Sequence, residues 1–161
     1  MTTRIATGRA AGHATVPGAR TTPPLLAPIL AALLFTTIAA TAPALAQERI
    51  RISSDWGAVT AELVDNEATR ALKRMLPLTL AMHDHLRQEK TGALPEPLPA
   101  AARQTEFATG TLGLWSSRDF VIYYGSGRVP SPGIVILGRV TGDVAVFDRP
   151  GPVSVRIEAS P

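Results

Sequence analysis

The sequence predicts a mainly β domain, a sandwich or barrel of about eight short strands with one helix, preceded by a secretory leader. Three observations carry this expectation. Residues 47–161 fall into short segments that alternate polar and apolar residues, punctuated by Gly, Pro, Asn and Asp. One stretch alone repeats its apolar residues convincingly at helical spacing. Residues 1–46 have the charge and hydropathy layout of a signal peptide.

The leader is read first. Leu25 to Ala40 (LLAPILAALLFTTIAA) carries no charge, and Arg4, Arg9 and Arg20 precede it without an acidic residue. Pro43, Ala44, Leu45 and Ala46 follow, then Gln47. The side chains of Ala44 and Ala46 fit the shallow pockets of a signal peptidase, so cleavage is expected after Ala46. The apolar run falls short of the roughly 20 residues a spanning helix needs and contains Pro28, which favours a cleaved leader over an anchor. No paired arginines precede it, so the general secretory route is expected, to the periplasm or outside the cell. The domain division is therefore 1–46, signal peptide, and 47–161, one domain, with no membrane span after cleavage.

Of the 16 basic residues, three lie in the leader, whereas all 13 acidic residues lie beyond it. The remaining chain is formally neutral, and it has no basic run interleaved with aromatics, so no nucleic-acid partner is expected. Cysteine is absent. Disulfides, thiol chemistry and a lipidated cysteine are thereby excluded, and stability must come from packing one core.

Arg49 to Ser53 (RIRIS) alternates as a half-buried strand, Asp55, Trp56 and Gly57 supply a turn, and Ala58 to Val64 (AVTAELV) completes a hairpin. Asn66 is placed to cap a helix through residue 76, because its side chain can accept an orphan backbone N–H. Ala68, Ala71, Leu72, Met75 and Leu76 form its apolar face, Glu67 suits its positive end, and Lys73 and Arg74 its negative end. Pro77 ends it. Leu78 to Met82 is strand-like, with Leu78, Leu80 and Met82 inward. Residues 84–111, holding Pro95, Pro97 and Pro99 with Gly92 and Gly110, read as one long irregular excursion with room for a short strand. Strands resume at Thr111 to Ser116 and Phe120 to Tyr124, then at the continuous apolar run Ile134 to Val140 and at Val153 to Ile157. Val144 to Phe147 is a short segment whose type the pattern leaves open. Closing such a sheet into a barrel removes its exposed edges.

The block Asp65, Asn66, Ala68, Thr69, Ala71, Leu72, then Leu76 to Leu80, Met82 and Asp84, resembles the helix-to-strand signature of the bacterial cyclophilin-like domain family. Glu89, Lys90 and Gly92, Leu94, Pro95 and Leu98, and the strand Ile136 to Val140 follow in the family's order. The similarity spans roughly residues 49 to 158. It implies a cyclophilin-like closed β-barrel of about eight strands with one capping helix, at about 66–76. Two departures stand out. Glu67 occupies the place where the family usually has Pro, and Trp115 to Asp119 (WSSRD) replaces its Pro-Trp-Gly-Asn turn.

True cyclophilins isomerise X–Pro bonds with an arginine over an apolar pocket. Their Phe-His-Arg-Val strand and Gln-Gly-Gly-Asp segment are absent here, and Arg118, the one arginine beside an aromatic in a loop, stands in a different register. His83 and His85 share one face of a strand, as two metal ligands could, but no third is assured, and with Leu80 and Met82 inward they face solvent or a barrel end. Neither metal nor cofactor is expected. Glu89 and Lys90 read as a solvated charge pair or as a polar anchor at a pocket mouth, Trp115 and Tyr124 as packing or as ligand-stacking aromatics. No Gly-x-Ser-x-Gly nucleophile turn and no phosphate loop occurs, and no catalytic residue is assigned. The candidate ligand contacts are Asp84, Glu89, Lys90, Trp115, Arg118 and Tyr124. The function expected is binding of a small molecule or peptide without catalysis; a divergent peptidyl-prolyl isomerase acting on exported chains is the alternative. Oligomeric state is left open.

Overall fold

The computed structural model describes residues 48–160, so the expected leader and its cleavage point lie outside the described residues. The strands are β1 (Arg49–Ser54), β2 (Gly57–Leu63), β3 (Leu78–His85), β4 (Glu89–Ala93), β5 (Arg103–Gln104), β6 (Glu106–Phe107), β7 (Thr111–Leu114), β8 (Asp119–Tyr123), β9 (Gly127–Arg128), β10 (Ile134–Val140) and β11 (Val153–Ser160). Helix α1 (Glu67–Met75) joins β2 to β3, and the segment Val144–Phe147, left open by its pattern, is a short 3-10 helix.

The strands pair in the order β2-β1-β11-β3-β4-β8-β7-β10, and β10 returns to β2, which closes an eight-stranded antiparallel barrel. Closure depends on a glycine. A Cβ at Gly138 would lie 2.3 Å from the Glu62 carbonyl oxygen of β2, so any larger residue would force the seam apart. The inward residues alternate as the period of two demands: Ile50 and Ile52 from β1, Leu78, Leu80 and Met82 from β3, Phe120 and Ile122 from β8, and Val155 and Ile157 from β11 are all buried in one core.

Asn66 caps α1 as its side chain predicted. Its Oδ1 accepts from the Thr69 backbone N–H at 2.9 Å, while Thr69 Oγ1 accepts from the Asn66 N–H at 3.1 Å. The same side chain reaches further, donating from Nδ2 to the Ile136 carbonyl of β10 at 2.9 Å, so the cap fastens the helix to the barrel. Ala68, Ala71 and Leu72 are buried against the core at the end where β3 begins.

The expected irregular excursion over 84–111 is corrected. Asp84 and His85 still belong to β3, and after a tight turn comes β4, a full barrel strand paired with both β3 and β8. The alternation is hidden in sequence because one inward position is the charged Lys90 and the next is Gly92, where a Cβ would meet Met82 Cγ and the Ala81 carbonyl oxygen at 2.9 Å. Beyond β4 the Pro-rich stretch is pinned by buried Leu94 and Leu98, and β6 pairs with β9 to lay a small second sheet over the outside of the barrel. Phe107, Val129 and Ile134 pack there on Val121 and Tyr123, and the Phe107 and Tyr123 rings stack 3.8 Å apart.

Candidate functional site

Successive residues of a strand face opposite sides, and β4 makes that rule decisive. Glu89 and Lys90 are both buried, at 4% and 0% exposed, but they do not pair with one another. Lys90 turns inward, to the barrel end reached by β3 about 20 Å beyond its start under α1. Its Nζ donates to Asp84 Oδ1 at 2.9 Å, to the Arg149 carbonyl and to the Gly151 carbonyl at 3.4 Å. The ammonium also lies 5.1 Å from the ring centre of Trp56 and 5.8 Å from that of Tyr124, whose hydroxyl donates to the same Asp84 oxygen. An ammonium has three donors, and here all three are used. Burial works against the ionised form of Asp84, but the hydrogen bonds from Lys90 and Tyr124 and the Lys90 charge outweigh it and hold the carboxyl below its ordinary 3.8. Burial and that hydrogen bond to Asp84 push the Tyr124 hydroxyl up. This cluster of Asp84, Lys90 and Tyr124 is a polar plug in which every Lys90 donor is used.

Glu89 turns outward. The register sets His85 opposite Glu89 and Glu89 opposite Tyr123; one step along, His83 faces Thr91 and Thr91 faces Val121. His83, His85, Glu89 and Thr91, with Trp115 and Ser116 from the turn between β7 and β8 and Asp119 at the start of β8, line an open groove of about 460 Å³. Trp115 Nε1 donates to Glu89 Oε1 at 3.2 Å, and Ser116 Oγ donates to Asp119 Oδ2 at 2.7 Å. The Trp115 backbone is itself fixed from behind, since Arg103 Nη1 donates to its carbonyl at 2.7 Å. Behind Glu89, the Tyr123 hydroxyl is wholly buried and has no hydrogen-bond partner among the described residues. Burial pushes the Glu89 carboxyl above its ordinary 4.5, an effect that the facing Tyr123 hydroxyl, His85 and the Trp115 N–H only partly offset. Burial raises the Tyr123 hydroxyl as well, reinforced by the Glu89 charge.

The six residues expected from sequence are thus divided by the barrel wall. Asp84, Lys90 and Tyr124 lie in the inner plug, and Glu89 and Trp115 in the outer groove. Arg118 belongs to neither: its Nε and Nη2 donate to the Leu94 carbonyl at 3.0 and 2.8 Å, and Nη2 to the Pro95 carbonyl at 2.9 Å, bracing the Pro-rich stretch. His83 and His85 project outward, as the alternation along β3 requires, and both are exposed. Asp84, on the opposite face, cannot join them as a ligand. Among the described residues no group of three His, Cys, Asp or Glu side chains converges as a metal site. Thr91, Ser116 and Asp119 were not singled out in the sequence. Their place in the groove follows from strand register, which no local pattern specifies.

A closed eight-stranded antiparallel barrel with one end-capping helix and a groove on its outer wall defines a cyclophilin-like architecture. The cyclophilin-like family pattern matches residues 52–158, and the chain belongs to that family. The barrel is similar to the solution structure of a hypothetical protein from Archaeoglobus fulgidus, with a TM-score of 0.54 and 16% identity over 71% of this chain and 95% of that one. At that identity the likeness concerns the fold alone. No curated protein matches the chain significantly.

Proposed function

We propose that the protein is an exported binding module that takes a small ligand or a peptide segment in the outer groove. The observation that carries this reading is Glu89, a carboxyl only 4% exposed whose Oε1 accepts from Trp115 while its second oxygen has no hydrogen-bond partner among the described residues. Taking a carboxyl largely out of water costs free energy, and behind this one the Tyr123 hydroxyl is buried without a hydrogen-bond partner among the described residues. Such groups concentrate where a ligand completes them. The Lys90 plug supports the contrast, because every donor there is already used.

The reading assigns no catalysis. An isomerase would need a guanidinium free to reach a prolyl nitrogen, and Arg118 has its Nε and Nη2 on the Leu94 and Pro95 carbonyls. Export rests on the composition of residues 1–46. Both parts are tested in one preparation. Protein exported from the full-length sequence should begin at Gln47 and, when ¹⁵N-labelled, show fragment-induced shifts at the Thr91 amide and the Trp115 Nε1–H. Shifts confined to other faces would overturn the groove, and an uncleaved N-terminus would overturn the leader.

A further inference from the structure

The groove has a chemical sign. Among the described residues it is lined by two carboxylates, Glu89 and Asp119, and by no lysine or arginine. Two guanidiniums beside Trp115 and Asp119 are held by backbone carbonyls, Arg118 on those of Leu94 and Pro95 and Arg103 on those of Trp115 and Gly133. A charge of one sign in a partly dry cleft is completed by a ligand of the other. Beside the carboxyl stands the Trp115 indole, whose ring face is the strongest side-chain partner for a cation.

Resting on the binding reading, we infer that the groove selects an organic cation, a primary amine or a guanidinium, which pairs with Glu89 against the Trp115 ring. Asp119, with one oxygen held by Ser116, adds a second acceptor at the other side of the groove. The unpartnered Tyr123 hydroxyl gives the site an internal reason to change state. A cation beside Glu89 favours its ionised form, and that carboxylate accepts from two donors behind it, the Trp115 Nε1–H and the Tyr123 hydroxyl. In the empty groove, burial works the other way and favours the neutral acid. Binding is therefore coupled to loss of a proton from Glu89 and tightens as pH rises through its raised value. The groups facing Glu89 are His83 and His85 from β3, Asp119 and Tyr123 from β8, and Trp115.

The test is a set of three matched probes, benzylamine, benzyl alcohol and benzoate, titrated into the ¹⁵N-labelled protein. Benzylamine should shift the Trp115 Nε1–H and the Thr91 amide, and benzoate should not. Glu89→Gln, which keeps shape and removes charge, should weaken benzylamine by about tenfold or more, as loss of a charge-assisted hydrogen bond does. Asp119→Asn, at a more exposed position, should weaken it by a smaller factor. Equal binding of benzyl alcohol and benzylamine at those resonances would overturn the cation inference and leave the groove as a binding site. Silence from all three at millimolar concentration would overturn both.

Discussion

Glu89 and Lys90 are neighbours in sequence and both buried, yet they are expected to behave oppositely when changed. Removing the Lys90 ammonium leaves two backbone carbonyls without this donor and Asp84 without its countercharge, with Tyr124 as its remaining side-chain donor. Breaking a buried, hydrogen-bonded charge pair in this way costs several kcal/mol. Lys90→Ala should therefore lower stability by about 3 kcal/mol, read from urea unfolding. An unchanged midpoint would mean that the plug is not a stabilising unit. Sequence could name both residues but could not tell their roles apart. The partners that satisfy Lys90 include the carbonyls of Arg149 and Gly151, about sixty positions away.

The turn from β3 to β4 shows a cost at the level of an element. Leu86 and Arg87 have φ of 51° and 52°, and the Gln88 N–H closes the turn on the His85 carbonyl. Positive φ at both central positions is the type I′ pattern that Asn-Gly satisfies, and side chains with a Cβ hold it under strain. Arg87→Gly should raise stability by about 0.5–1 kcal/mol, since the ion pair it gives up with Asp148 is exposed and long, at 3.8 Å. A lower urea midpoint in that variant would show that the Arg87 side chain contributes more than its backbone costs. The absence of any turn-forming residue at 86–87 is also why the hairpin could not be read from sequence, whereas α1 could. Asn66, the apolar spacing to Leu76, and Pro77 each state the helix locally.

For the whole molecule, the two shifted carboxyls oppose one another in their effect on stability. The folded value of Asp84 lies below its ordinary 3.8, so its contribution is present above that pH and is lost as pH falls through the folded value. The folded value of Glu89 lies above its ordinary 4.5, so its contribution is present below that pH and is lost as pH rises through the folded value. Urea midpoints across pH should show Glu89→Gln gaining on the unaltered protein as pH rises above 4.5. Asp84→Asn should be weaker above 3.8 and converge with the unaltered protein in stronger acid. Parallel profiles for all three proteins would mean that neither carboxyl is perturbed by the fold.

The β-rich class, the capped helix, most of the barrel strands and the outward direction of His83 and His85 are legible in the amino-acid sequence. Each of these is written in a local period of two or 3.6 residues or in a single capping or breaking residue. The folded barrel alone reveals that β4 is a barrel strand, that Glu89 and Lys90 serve opposite sides of one wall, and that Trp115, Thr91 and Asp119 meet beside His83 and His85. Those outcomes depend on cross-strand register and on backbone carbonyls far along the chain. Which groups satisfy a buried charge becomes visible only when the barrel has closed.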